Sequence, residues 1–167
     1  QTAGVAPAFP FGFGLSYTSF AYSDLKATSD SVTLTVTNTG SCDGAEIVQI
    51  YVAKPDAKVF RPVQELKGFK KVKLAAGESK CVAIPLDDKV FRYWNTMTNA
   101  WEIEGGRYEI RVGASCEDIR LTATVEVAGT GAPNPYAGIS LPHYESGKVM
   151  NVPDAEWEVL LDRPIPD

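Results

Sequence analysis

The sequence has 167 residues, 44% of them hydrophobic and 22% charged, enough for one self-sufficient domain with an appendage. A net charge of −5 argues against a phosphate-binding surface, so no nucleic-acid partner is expected. Three cysteines without a CxxC pair, together with a single histidine, exclude a Cys/His zinc site and are typical of a reducing compartment.

Residues 1–16 form an N-terminal segment that matches neither a strand nor a membrane anchor. Its apolar run, residues 5–15, is interrupted by proline and glycine and is too short to cross a bilayer. No basic residue comes before Lys26, so a signal peptide is not visible. Because no helix start and no GK[ST] motif follow Gly12 and Gly14, we interpret these glycines as turn residues rather than a phosphate loop.

Residues 17–128 are predicted to form an all-β domain, because apolar and polar side chains alternate from about residue 20 to residue 127. In the clearest strand, residues 31–39, Val32, Leu34 and Val36 share one face while threonines occupy the other. Further strands are predicted at residues 20–26, 46–53, 67–74, 80–86, 91–94, 101–103, 108–112 and 121–127. This number of short strands predicts an immunoglobulin or fibronectin type III-like antiparallel β-sandwich, with a closed barrel as the second choice.

Residues 129–167 form a proline-rich linker, since six of the eleven prolines come after Val127. We predict one short helix near its end, with Asp154 as the N-cap. Trp157, Leu160 and Leu161 would share one face of that helix. Such an apolar face requires a partner, either the sandwich itself or another domain.

The residues offer little catalytic chemistry. Glu102 and Glu104 share a strand face but are interpreted as solvated acids. His143 lies in the proline-rich linker and no GxSxG motif is present, so no serine triad is expected. Lysines at 67, 70, 71 and 73 surround Phe69 and predict a charged edge strand. We assign no catalytic residue and no cofactor.

Tyr93, Trp94 and Trp101 are the most suggestive aromatic residues of the predicted sandwich. Bulky side chains of this kind usually pack in a core. Their flat rings can also stack on sugars, so the same three residues are candidates for an exposed sugar-binding platform. Both interpretations stay open at the level of the sequence.

Four strings occur in a specific order: FPFGFGLSYT at residues 9–18, AEIVQIYV at 45–52, RPVQELKGF at 61–69 and GASCEDIRL at 113–121. Together they resemble the fibronectin type III-like domain of glycoside hydrolase family 3, the family of β-glucosidases and β-xylosidases. Residues 141–149, 152–157 and 160–166 are similar to the linker of members with permuted domain order. This resemblance implies a middle piece of a longer enzyme. From the sparse cysteines and the lack of a visible signal peptide, we expect that enzyme in a bacterial cytoplasm rather than secreted.

The resemblance also implies a retaining mechanism with two carboxylates, supplied by a barrel domain and commonly an α/β sandwich domain. Neither motif occurs here, so the chain alone is not expected to be an enzyme. We predict a non-catalytic domain that braces those two domains, with Phe9, Phe11, Phe13 and Tyr17, and also Trp157, Leu160 and Leu161, as contact residues. The alternative is a carbohydrate-binding or adhesion module that uses Tyr93, Trp94 and Trp101.

Overall fold

A computed structural model describes residues 5–148 and 150–166. The predicted strands are all present, and their bounds differ from the prediction by at most two residues. They are β1 (Phe20–Ala27), β2 (Ser31–Asn38), β3 (Gly44–Ala53), β4 (Glu65–Leu74), β5 (Ser79–Pro85), β6 (Arg92–Asn95), β7 (Ala100–Ile103), β8 (Gly106–Gly113) and β9 (Ile119–Val127). The first four residues of the N-terminal segment, together with Val149 and Asp167 of the linker, lie outside the described residues.

Seven of these strands form two antiparallel sheets. One sheet has the order β1-β2-β5 and the other the order β4-β3-β8-β9. The two sheets do not join into a barrel, so the sandwich prediction is confirmed. The strand β4 lies at a sheet edge, where its lysines oppose pairing with another chain, as predicted.

The inward faces of the two sheets make the core. Val32, Leu34 and Val36 of β2 are buried, as their alternation predicts. Tyr108 at the start of β8 is fully buried against Phe91, with their ring centres 5.0 Å apart, and its hydroxyl donates a hydrogen bond to the Glu104 carbonyl at 2.7 Å. This tyrosine corner is typical of immunoglobulin-like sandwiches. Burial raises the pKa of Tyr108 to about 12.

The strands β6 and β7 pair only with each other and form a hairpin outside both sheets. A 3₁₀ turn at Asp88–Val90 leads into β6, and the Asp87 carboxylate caps it by accepting the Lys89 N–H. Asn95 at the end of β6 donates a hydrogen bond to the Pro133 carbonyl at 2.8 Å. The hairpin is therefore tied to the start of the proline-rich linker.

The described part of the linker contains two short helices where the sequence predicted one. They are α1 (Pro142–Ser146) and α2 (Asp154–Leu161). Pro142 favours a helix start at α1, and Gly147, with φ of +68°, ends that helix in the left-handed conformation. The N-cap prediction was wrong, because Pro153 occupies the cap and Asp154 lies inside the first turn. Neither described helix has the length or hydropathy needed to cross a membrane.

Candidate domain-contact surfaces

Gln49, in the middle of β3, holds the N-terminal segment against the outer face of the four-stranded sheet. It is only 4% exposed. Its Nε2 donates hydrogen bonds to the carbonyls of Gly12, at 3.1 Å, and Ala114, while its Oε1 accepts the Tyr51 hydroxyl at 2.6 Å. These bonds satisfy the buried amide. We call Gly12, Gln49, Tyr51 and Ala114 the Gln49 anchor.

Gly12 makes this close approach possible. The Phe13 N–H donates to the Pro10 carbonyl at 3.0 Å and closes a turn, in which Gly12 has φ of +84°. Only glycine adopts that conformation without strain, so the predicted turn is confirmed at Gly12. A Cβ atom at Gly12 would also overlap Oε1 of Gln49, whereas one at Gly14 would meet nothing within 4 Å.

Exposed apolar side chains lie on this turn and on the neighbouring strands β3 and β4. Phe9, Phe11, Phe13 and Phe69 are between 47% and 75% exposed. Phe69 lies directly opposite Gln49 in the pairing of β4 with β3, and Ile47 shares a surface cavity with Phe13. We call Phe9, Phe11, Phe13, Ile47 and Phe69 the aromatic patch. Tyr17, predicted with this group, is fully exposed farther along the chain.

Sequence reasoning did not assign Phe69 and Ile47 to this surface. Phe69 was considered only as a member of the lysine cluster. Because Phe69 is two and four residues from Lys71 and Lys73, the alternation of β4 places all three on one face. That face is the outer one, since Val72 between the lysines is buried in the core.

A second polar group joins the two C-terminal helices. Glu156 of α2 is only 8% exposed. One carboxylate oxygen lies 2.6 Å from Nδ1 of His143, and the other accepts the His143 backbone N–H at 3.2 Å. Burial favours a higher pKa for Glu156, but the hydrogen bonds from His143 outweigh it and lower that pKa below its usual 4.5. We call Glu156 and His143 the Glu156 anchor.

Trp157, Leu160 and Leu161, the predicted apolar face of α2, are all exposed. The inward residue of this helix is instead the carboxylate Glu156. The helix α1 contacts the sandwich through Tyr144, whose ring centre lies 5.4 Å from that of Phe60 in the loop before β4. The described residues therefore leave the apolar face of α2 available for another surface.

The three residues of the predicted sugar platform lie on the β6–β7 hairpin. Trp94 and Trp101 are a directly opposed cross-strand pair and both are exposed. Their ring centres are 5.5 Å apart and their planes meet at 75°, so the two indoles do not form one flat surface. Tyr93 is half-buried, with the Arg61 guanidinium 5.3 Å from its ring centre.

Glu104 is not the solvated acid that the sequence predicted. Its side chain is largely buried because the loop before β4 covers it. One carboxylate oxygen accepts the Lys58 N–H at 2.7 Å, and the other lies 3.9 Å from Nε of Arg61. Glu104 therefore fixes this loop. Within residues 5–148 and 150–166, no cluster of three or more His, Cys, Asp or Glu side chains suits a metal ion.

Comparison with known proteins gives consistent matches in sequence and structure. Residues 46–116 match the fibronectin type III-like domain family. The chain is 48% identical over 140 residues to an exo-α-(1→6)-L-arabinopyranosidase of Bifidobacterium longum, covering 81% of this chain and 18% of that protein. It is 46% identical over 138 residues to thermostable β-glucosidase B of Acetivibrio thermocellus, covering 78% and 18% respectively.

A solved structure shares the fold over nearly the whole chain. The crystal structure of a GH3 β-glucosidase from Bifidobacterium adolescentis superposes with a TM-score of 0.74 at 41% identity. The match covers 94% of this chain and 22% of that enzyme. The chain thus spans less than a quarter of the length of these relatives.

Proposed function

We propose that this chain, which belongs to the fibronectin type III-like domains of glycoside hydrolase family 3, braces the catalytic domains of a longer glycosidase polypeptide. It is a non-catalytic domain, and the reacting carboxylates belong to other domains of that polypeptide. Its contribution is geometric, because two carboxylates from different domains act together only if their spacing is held within a fraction of an ångström.

The observation that carries this proposal is the aromatic patch on its rigid support. Exposed apolar surface of this kind marks contacts with other proteins or domains. The backbone under the patch is fixed by buried hydrogen bonds of Gln49 rather than by the exposed side chains themselves. The patch can therefore hold a neighbouring domain in a fixed position relative to the sandwich without rearranging. We propose the barrel and the α/β sandwich domain as the neighbours.

A second contact is proposed on α2, where Trp157, Leu160 and Leu161 are exposed. Since the aromatic patch and this helix share no residue, each can contact a different domain. The names of the relatives support β-glucosides or related glycosides as substrates of the whole enzyme. The free cysteines at 42, 81 and 116 support the proposed location in a bacterial cytoplasm.

Substitution of Phe11→Ser with Phe13→Ser in the full-length glycosidase tests the bracing role. Removing central apolar contacts of an interface costs about 1–3 kcal/mol. We expect the double variant to inactivate at a temperature several degrees below that of the native enzyme, with KM unchanged. The same substitutions in the 167-residue chain alone should leave its unfolding temperature unchanged. Met97→Ser, at an equally exposed residue of the hairpin turn, is the matched control. Equal inactivation of the patch variant and the control would contradict the proposal.

A further inference from the structure

A groove of about 600 Å³ lies between the β6–β7 hairpin and the loop that leads into β4. Trp94 and Trp101 provide exposed aromatic surface on one side. The described residues that line the groove also include four cationic side chains, Arg61, Lys67, Lys89 and Arg92. Two kinds of recognition chemistry, flat rings and positive charge, therefore meet in one place.

The charge of the groove is opposite to that of the whole chain. The chain carries −5, yet Glu65 is the only carboxylate among the described lining residues. Glu65 pairs with Lys67 at 3.1 Å, the largely buried Arg61 lies 3.9 Å from both Glu65 and Glu104, and Arg92 forms an ion pair with Asp88. Lys89 is exposed and forms no ion pair with any described residue. Of the described lining cations, Lys89 is therefore the one left to pair with a bound anion, and Arg92, whose side chain is 32% exposed, can add a further donor.

The aromatic pair adds a requirement for shape. Because Trp94 and Trp101 meet edge to face, the ring of one indole stays open to stack on a planar or cyclic group. A small acyclic anion would satisfy the cations but leave the indoles in water. A neutral sugar would cover an indole but leave Lys89 without a partner.

We propose that this groove binds an acidic oligosaccharide, meaning one whose sugar rings carry carboxylates. A pyranose ring stacks on Trp94 or Trp101, and its carboxylate pairs with Lys89 and accepts a hydrogen bond from the Arg92 guanidinium, which also holds Asp88. This binding site is independent of the bracing role, because the aromatic patch shares no residue with the groove. The two proposals can therefore fail separately.

Calorimetric titration of the 167-residue chain with trigalacturonic acid tests the site. We expect saturable binding that weakens by about tenfold or more in Trp101→Ala and in Lys89→Glu. Trp157→Ala and Lys71→Glu are matched controls, because they remove the same residue types at exposed positions outside the groove. Unchanged unfolding midpoints show that the variants are folded.

Two further ligands separate the components of recognition. Cellotriose offers neutral rings, and citrate offers carboxylates without a ring. We expect both to bind at least about tenfold more weakly than trigalacturonic acid, and that acid to bind more weakly when NaCl rises from about 0.05 M to about 0.5 M. Equal binding of citrate or of cellotriose, no binding of trigalacturonic acid, or equal losses in the control variants would overturn the proposal.

Discussion

The two ends of the chain are held by anchors of different chemistry. At the N-terminal end, a neutral amide, Gln49, binds backbone carbonyls and a tyrosine hydroxyl. At the C-terminal end, the carboxylate of Glu156 binds the ring and the backbone N–H of His143. Gln49 and Glu156 are themselves buried, and apolar side chains near each of them are exposed.

This difference has consequences for how each end responds to pH. The pKa of Glu156 is lower in the folded chain than its ordinary value of 4.5. Its carboxylate therefore stabilises the helix pair at pH values above 4.5, and this stabilisation is lost as the pH falls below that value. Gln49 does not titrate. The hydroxyl of Tyr51, which donates to Gln49, has its pKa raised to about 12, mainly by burial and to a smaller extent by the nearby Cys116. The Gln49 anchor is thus stable in acid and weakens only when the pH rises from about 10 toward 12.

The largest expected effect comes from Gly12→Ala. The new Cβ overlaps Oε1 of Gln49 and forces a side chain into a positive φ, so we expect a loss of about 2–4 kcal/mol, mostly as release of the N-terminal segment. Urea unfolding and chymotrypsin cleavage after Phe11 and Phe13 measure the two parts. Gly14→Ala is the control and should change stability by less than about 1 kcal/mol. Equal cleavage of both variants would disprove the anchor.

A smaller effect is expected from Tyr51→Phe. Loss of the hydroxyl leaves the buried Oε1 of Gln49 without its donor, which costs about 1–2 kcal/mol. The variant should also lose less stability than the native chain between pH 10 and about 12, although Tyr108 still titrates there. Tyr17→Phe, with its hydroxyl in solvent, serves as control in both measurements. A native-like alkaline loss in Tyr51→Phe would contradict the assigned role.

The strands could be predicted because their side chains alternate. Val32, Leu34 and Val36 follow the period of two, and the sheet faces follow from that period. Phe9, Phe11, Phe13 and Tyr17 were also selected from the sequence, since a run of apolar residues with two glycines forms no regular element. For the strands, local sequence and tertiary structure give the same answer, so a pattern is enough, whereas the contact role of these four aromatic residues stays a prediction.

The anchors could not be predicted, because they contradict the pattern. Gln49 and Glu156 are polar residues that reading by hydropathy assigns to solvent, and they are buried only because distant backbone groups complete their hydrogen bonds. Glu104 was misassigned for the same reason, since the loop that covers it begins some fifty residues earlier in the chain. Long-range partners of this kind leave no periodic signal.

The smallest and most local effect is expected from Glu156→Gln. The amide keeps the shape of the carboxylate but not its charge, so the variant should lose the acid sensitivity of the helix pair while the sandwich unfolds as before. Fluorescence of Trp157, next to Glu156, follows this during a titration from pH 7 to about 3. The native chain should show a transition below pH 4.5, where Glu156 takes up its proton.

Glu145→Gln is the matched control for that titration, because Glu145 lies on α1 but is exposed to solvent. It should keep the acid transition of the native chain. If Glu156→Gln also keeps the transition, the charge of Glu156 does not hold the helices together. Cleavage of the N-terminal segment at the same low pH completes the comparison, since the Gln49 anchor contains no group that titrates in acid and should protect that segment throughout.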